Sequence, residues 1–132
     1  MIAIRKLLVQ RGGATAVEFG LTAPLFMMLV FGIIEVGFAL WAQYGLENAV
    51  EAASRCVSVN TITCSSASAI AEYAHTNTLG VGIPASAFAY DKLSCGNKVT
   101  GSYRYGYFTQ YFNAVGVTLT AQSCFPDLNA GG

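Results

Sequence analysis

Few residues of this chain could do chemistry, and most of those are spaced as if they do none. There is one histidine, His75, with no nucleophile motif, no phosphate-binding glycine loop and no metal-ligand spacing around it. It reads as a helix-surface residue. Asp91 and Asp127 fall in separate strand and tail contexts, so they offer no carboxylate pair for acid–base work. No enzyme activity, cofactor, metal or small-molecule ligand is expected. The four cysteines, Cys56, Cys64, Cys95 and Cys124, contain no C-x-x-C and read as disulfides rather than a metal site. Four cysteines allow three pairings, and sequence does not choose among them. The favoured one is Cys56–Cys64, tying a helix end to its loop, with Cys95–Cys124 joining the ends of a first and a third strand. Two carboxylates remain, Glu18 and Glu35, in or beside a long apolar run where an unpaired charge is costly.

That run has to position everything else. Only 11% of the 132 residues are charged and 54% are apolar, against about 25% charged in an ordinary soluble domain. The excess is concentrated from Phe19 to Ala42, FGLTAPLFMMLVFGIIEVGFALWA, where Glu35 is the one ionisable residue. About 20 such residues cross a hydrocarbon core. The leader before it, MIAIRKLLVQRGG, carries Arg5, Lys6 and Arg11 and no acid, and no further Lys or Arg comes before Arg55. The positive-inside bias therefore predicts a single-pass protein with a cytoplasmic N-terminus and the bulk of the chain outside. A cleaved secretory signal fits less well. The apolar run is longer than an ordinary h-region, and Glu35 would stand just ahead of a cut near Gly37-Phe38-Ala39.

The zero formal net charge argues against a nucleic-acid binder, but it is a sum of unlike parts. The leader is basic, and the remainder holds four basic and seven acidic residues.

Beyond the span the chain continues with helix formers. Leu46, Val50, Ala53 and Val57 form one stripe, Glu47 and Glu51 lie on the other side, and Glu51 and Arg55 are spaced for an i,i+4 pair. One helix is predicted from about Ala14 to about Val57, roughly 65 Å long. Ser58 to Ser66 reads as a loop. Ser65 or Ser66 caps a short helix, ASAIAEYAHTNTL, closed by Gly80, and Gly80 to Pro84 is a linker. After it the period becomes two: Phe88 and Tyr90, then Tyr103, Tyr105 and Tyr107, then Val117, Leu119 and Ala121. Gly96-Asn97 and Asn113 to Gly116 read as connections. The expected fold class is α+β, with a cytoplasmic leader (1–13), a long helix (14–57, membrane span about 19–42) and an exported head (58–132) bearing a three-stranded antiparallel sheet. About 75 residues are few for a self-sufficient core, so disulfide staples are expected. Tyr103, Tyr105, Tyr107, Phe108, Tyr111 and Phe112 form an aromatic cluster that suits the inner face of a sheet or a subunit contact. Lys98 and Arg104 alone are too few to make it a nucleic-acid platform.

The string RGGATAVEF sets Gly13 between a basic leader and the span, with Glu18 five residues later and Phe19 next. It resembles the prepilin-type processing site, at which a membrane peptidase cuts after a glycine. The cut would fall between Gly13 and Ala14. More widely, Gly13 to Arg55 resembles the TadE-like family of minor pilins or pseudopilins of the tight-adherence (Flp-type) type IV pilus branch. The resemblance is carried by Ala16-Val17-Glu18-Phe19, Pro24, Phe31-Gly32-Ile33-Ile34-Glu35 and Leu46-Glu47-Asn48-Ala49. Gly20, Phe38 and Gly45 depart from the family pattern, and Gly45 weakens the helix around it.

The resemblance implies an inner-membrane protein with a periplasmic head. Its implied partners are prepilin peptidase, pilus platform proteins and other pilins. The new ammonium of Ala14 would be neutralised by Glu18, in the same subunit or a neighbour, whereas the plainer role of Glu18 is a carboxylate at a helix N-terminus. Pro24 could kink the span, and small residues such as Gly32 permit close helix packing. Glu35, about 25 Å beyond Glu18 along a helix, either reaches the outer interface or pairs with an assembly partner. A membrane-tethered binding module unrelated to pili is the alternative.

Overall fold

The computed structural model describes residues 12–106 and 116–128. The basic leader up to Arg11, and Tyr107, Phe108, Tyr111 and Phe112 of the aromatic cluster, lie outside them. The described elements are a 48-residue helix α1 (Gly12–Val59), a helix α2 (Ala67–Thr76), one 3-10 turn (Ala85–Ala87), and strands β1 (Phe88–Leu93), β2 (Gly96–Tyr105) and β3 (Val117–Phe125). The class is α+β. Two compact units divide the chain, Met1–Val36 and Gly37–Gly132.

In the first unit α1 carries an almost unbroken apolar surface that its own chain leaves exposed, with Phe19, Leu21, Leu25 and Met28 each above 70% accessible. The helix is long and apolar enough to cross a membrane. Pro24 stands inside it and cannot donate to the carbonyl of Gly20. One turn earlier the Thr22 hydroxyl donates back to the Glu18 carbonyl at 2.9 Å.

The second unit is built on the later part of α1. Ala42, Leu46, Ala49, Val50 and Ala53 are buried in one cluster with Ile70 and Ala74 of α2, Ile83, and Phe88, Val99 and Leu119 of the three strands. The stripe is mostly alanine and the sheet beneath it has Gly101, so helix and sheet approach closely. A Cβ on Gly101 would lie 2.8 Å from Leu46 Cδ1 and 3.1 Å from Val50 Cγ1. Gly45 has the same explanation. A Cβ there would sit 2.6 Å from the Thr78 carbonyl oxygen and 2.8 Å from Val81 Cγ2. The residue expected to weaken the helix is instead where the turn after α2 packs on it.

The sheet has the order β1-β2-β3 and is antiparallel throughout, with Phe88 opposite Gly101 and Gly101 opposite Ala121. Its first connection differs from expectation. Leu93 pairs with Gly96, so the turn is Ser94-Cys95 and Gly96-Asn97 belong to β2. Gly96 takes the positive φ (+121°) next to the turn. Asn97 is drawn inside by buried polar partners.

The helix ends also move. α1 runs two residues past Val57, where Asn60 takes over: its side chain accepts from the N–H groups of Ile62 and Thr63. α2 starts on Ser66, whose hydroxyl accepts from Ala69 N–H at 3.2 Å, but it stops at Thr76 rather than Leu79. Thr76 Oγ1 and Asn77 Nδ2 both donate to the Tyr73 carbonyl, and Thr78 Oγ1 donates to that of His75. These side chains compete with further helix, and Leu79 and Gly80 then turn the chain with positive φ. Disulfides join Cys56 to Cys64 and Cys95 to Cys124, with Cα–Cα distances of 6.0 and 6.3 Å.

Candidate processing and assembly segment

The residues of the suspected processing site all lie in the first turns of α1. Gly13 and Ala14 are both helical, so the Gly13–Ala14 bond lies within α1. Two adjacent glycines, Gly12 and Gly13, weaken the helix there, each costing about 1 kcal/mol relative to alanine in a helix interior. Ala14, Glu18 and Phe19 are exposed, Glu18 one turn beyond Ala14. Nothing stands within 4 Å of where a Cβ on Gly13, Gly20 or Gly32 would lie. The Gly32 surface is therefore open to a neighbouring helix.

Glu35 is different. Its side chain is half-buried, and its Oε2 is the one buried side-chain oxygen with no hydrogen-bond partner among the described residues. No Lys, Arg or His occurs on α1 before Arg55. The helix that carries this carboxylate offers it no cation.

In the second unit several expected features change. His75 is not a plain surface residue: it is half-buried, with Nδ1 2.6 Å from the Ile83 carbonyl oxygen, and so pins the chain after α2 back onto it. Glu51 and Arg55 keep their i,i+4 spacing but form no ion pair. Among the described residues Lys92 forms a salt bridge to Asp127, at 2.7 Å. It holds the segment after β3 against β1, and the hydrogen bond and charge of Asp127 push the Lys92 ammonium's pKa above its ordinary 10.5. Tyr103 and Tyr105 pack against the core from β2, as the inner face of a sheet would.

Sequence reasoning missed a buried polar line. Ser54 and Ser58 are at most 1% exposed and Asn97 is 3%. Asn97 Nδ2 donates to Ser58 Oγ at 2.9 Å and Tyr90 OH donates to Asn97 Oδ1 at 2.8 Å. Ser54 Oγ lies 3.0 Å from Ser123 Oγ, and Ser58 Oγ 3.2 Å from the Ser54 carbonyl oxygen. These bonds lock α1 to all three strands in one register. The available signal was spacing: Leu46, Val50, Ser54 and Ser58 recur every four residues, but a search for apolar residues goes on from Val50 to Ala53 and Val57 and passes the two serines by.

Among the described residues no group of three or more His, Cys, Asp or Glu is placed to hold a metal ion. What the molecule offers is a helix whose apolar surface its own chain does not cover, and a small disulfide-bonded head. That is consistent with a single-pass membrane protein, and the disulfides suggest an extracytoplasmic head. Residues 13–55 match the TadE-like protein family, about a third of the chain and the same stretch that carries the resemblance in the sequence. The match points to a protein associated with the tight-adherence (Tad) pilus. Comparison with curated proteins and with solved structures found no match.

Proposed function

We propose that the protein is a minor pilin or pseudopilin used in assembling a tight-adherence type IV pilus or a related secretion machine. The observation that carries this reading is the family match, which begins at Gly13 itself and covers the apolar part of α1. In this reading the leader 1–13 is cytoplasmic, the span about 19–42 lies in the inner membrane, and the head 58–132 is periplasmic. Trp41 and Tyr44, exposed near the end of the apolar run, sit where aromatic side chains favour a membrane interface.

Prepilin peptidase hydrolyses the Gly13–Ala14 amide, leaving a carboxylate on Gly13 and an ammonium on Ala14. The glycine pair Gly12-Gly13 weakens the helix there and lets that bond leave it. Glu18, one turn on, neutralises the ammonium in the same subunit or in a neighbour, because a charge at the membrane edge needs a partner. Pro24 loosens the span for extraction, and Gly32 lets another pilin helix pack closely. Glu35 is the second carboxylate requiring a partner, supplied by another pilin or by the platform proteins. No residue of the chain acts as a catalyst.

Mass spectrometry of membrane-extracted protein from cells with active prepilin peptidase tests the reading. A chain beginning at Ala14 is expected. A chain beginning at Met1 overturns the processing step and favours a membrane-tethered binding module. Glu18→Gln is expected to impair pilus assembly while leaving insertion intact, and normal piliation in that variant refutes the charge-pair role.

A further inference from the structure

We propose that the free edge of β3, with the acidic flank of α1 beside it, is a docking site for an extended basic segment of another polypeptide. The inference concerns the second unit (Gly37–Gly132) alone and does not depend on the pilus reading.

The sheet is open, and its two edges differ. On the β1 side α2 packs against the strand. On the β3 side no strand follows among the described residues. The register shows which backbone groups are left there. The two-residue turn between Leu93 and Gly96 makes that pair hydrogen-bonded, so Gly96, Lys98 and Thr100 face β1 and the odd-numbered residues of β2 face β3. Their partners Val117, Leu119, Ala121, Ser123 and Phe125 are thereby used. Thr118, Thr120, Gln122 and Cys124 direct their N–H and C=O groups to the open edge.

One of those groups has a partner, which locates the helix. Gln43 Nε2 donates to the Thr120 carbonyl at 3.2 Å and to Glu47 Oε1 at 2.7 Å. Gln43, Glu47 and Glu51 follow at intervals of four, so one row of α1 side chains runs along the strand edge. Glu47 and Glu51 are exposed, and neither forms an ion pair. A cleft of about 940 Å³ is lined by Glu47 and Glu51 with Thr120, Gln122, Ser123 and Phe125, and extends to residues of the other two strands.

The strand itself, VTLTAQSCF, has none of the features that protect an edge: no proline, no lysine, no charge. Such an edge adds another strand readily, the main chain supplying affinity and flanking side chains supplying specificity. Glu47 and Glu51 supply the specificity. Alternate side chains of an added strand are about 7 Å apart, and carboxylates one helical turn apart are spaced by about 6 Å. Lysine or arginine at two alternate positions of the incoming segment matches them.

The test uses the full-length protein, disulfides intact, in detergent micelles. The probes are a nine-residue synthetic peptide of valine and threonine with lysine at positions four and six, and its twin with glutamate there. The lysine peptide is expected to slow amide exchange at Thr118, Thr120, Gln122 and Cys124, and the glutamate peptide is not. The double variant Glu47→Gln, Glu51→Gln is expected to weaken the lysine peptide about tenfold or more. Gln122→Pro is expected to abolish its binding, since that N–H faces outward and its loss spares the β2–β3 ladder. Equal binding of the two peptides overturns the proposal. So does binding of neither, an unchanged affinity in the glutamine double variant, or protection of the same four amides by self-association without peptide.

Discussion

Replacing Gly45 with alanine sets two effects of opposite sign against each other. Helix propensity alone favours the change by about 1 kcal/mol, because glycine in a helix interior is that much worse than alanine. Packing opposes it. The new methyl would stand 2.6 Å from the Thr78 carbonyl oxygen and 2.8 Å from Val81 Cγ2. The first is backbone on a residue only 3% exposed, held by the Thr78 hydroxyl's bond to the His75 carbonyl and by the Val81 N–H, which donates to the Thr78 carbonyl oxygen. It has nowhere to move without breaking the turn. Overpacking of this kind costs about 1–3 kcal/mol, and a contact to fixed backbone belongs in the upper half of that range. The net expectation is a head destabilised by about 1–2 kcal/mol, or roughly 4–16 °C in Tm for a domain of this size. Thermal unfolding of the full chain in detergent, followed by near-ultraviolet circular dichroism, measures it. Gly32→Ala is the control, since nothing lies within 4 Å of the site of its Cβ. A Gly45→Ala protein as stable as the parent would refute the steric account.

Four further outcomes are expected. Asn97→Ala leaves Ser58 and Tyr90 without their partner and costs about 2–4 kcal/mol, read by the same unfolding experiment, whereas a loss under 1 kcal/mol would show the buried line to be idle. Replacing Cys95 and Cys124 by serine should cost about 1 kcal/mol more than replacing Cys56 and Cys64, because their sequence separations are 29 and 8 and loop-closure entropy grows with length; equal losses would contradict that model. Lys92 has its pKa raised by Asp127, so its tether is fully present below 10.5 and is lost only as pH rises through the higher folded value. Exchange rates of β1 and of the segment after β3 should therefore be insensitive to this group from pH 6 to 9, and a change tracking Lys92 within that range would be contrary. Gly12→Ala raises local helix propensity beside the Gly13–Ala14 bond by about 1 kcal/mol and should slow cleavage after Gly13 by up to about fivefold, measured by the ratio of processed to unprocessed chain.

The parts of the fold that could be read from sequence are those governed by strong, local patterns. The apolar run from Phe19 to Ala42, the alternation in β1 and β3, and the short spacing of Cys56 and Cys64 each reflect one physical requirement repeated over neighbouring residues. What was misread depends on residues far away. Asn97 resembles a turn residue until Ser58, 39 positions earlier, gives it a buried partner. Gly45 resembles a helix fault until the carbonyl of Thr78 arrives beside it. The early end of α2 is local, yet it rests on Thr76, Asn77 and Thr78 preferring the carbonyls of the preceding turn to water. For the candidate processing segment, residue types and order were readable at once. That the Gly13–Ala14 bond lies inside helical backbone was not, because the helix was expected to begin only at about Ala14.

The two units satisfy their polar groups in opposite ways. In the head, side chains with no exposure such as Ser54 find partners inside the same chain, and Asn97, Ser58 and Tyr90 complete one another. In the first unit the apolar surface is uncovered, and Glu35 presents a buried oxygen that nothing among the described residues engages. Lipid can cover the apolar surface, but it cannot hydrogen-bond a carboxylate. The nearest cation on α1 is Arg55, 20 residues on and, at about 1.5 Å per residue, some 30 Å along the helix axis. In the proposed reading the partner of Glu35 comes from water at the interface or from another polypeptide. A helix that only anchored a head would have no reason to carry that cost, because a leucine at the same position would insert more readily. In the proposed reading Gly13, Glu18 and Glu35 share this property: each is unfavourable or unneeded in an isolated anchor, and each would have a purpose in a helix that is cut and packed among others.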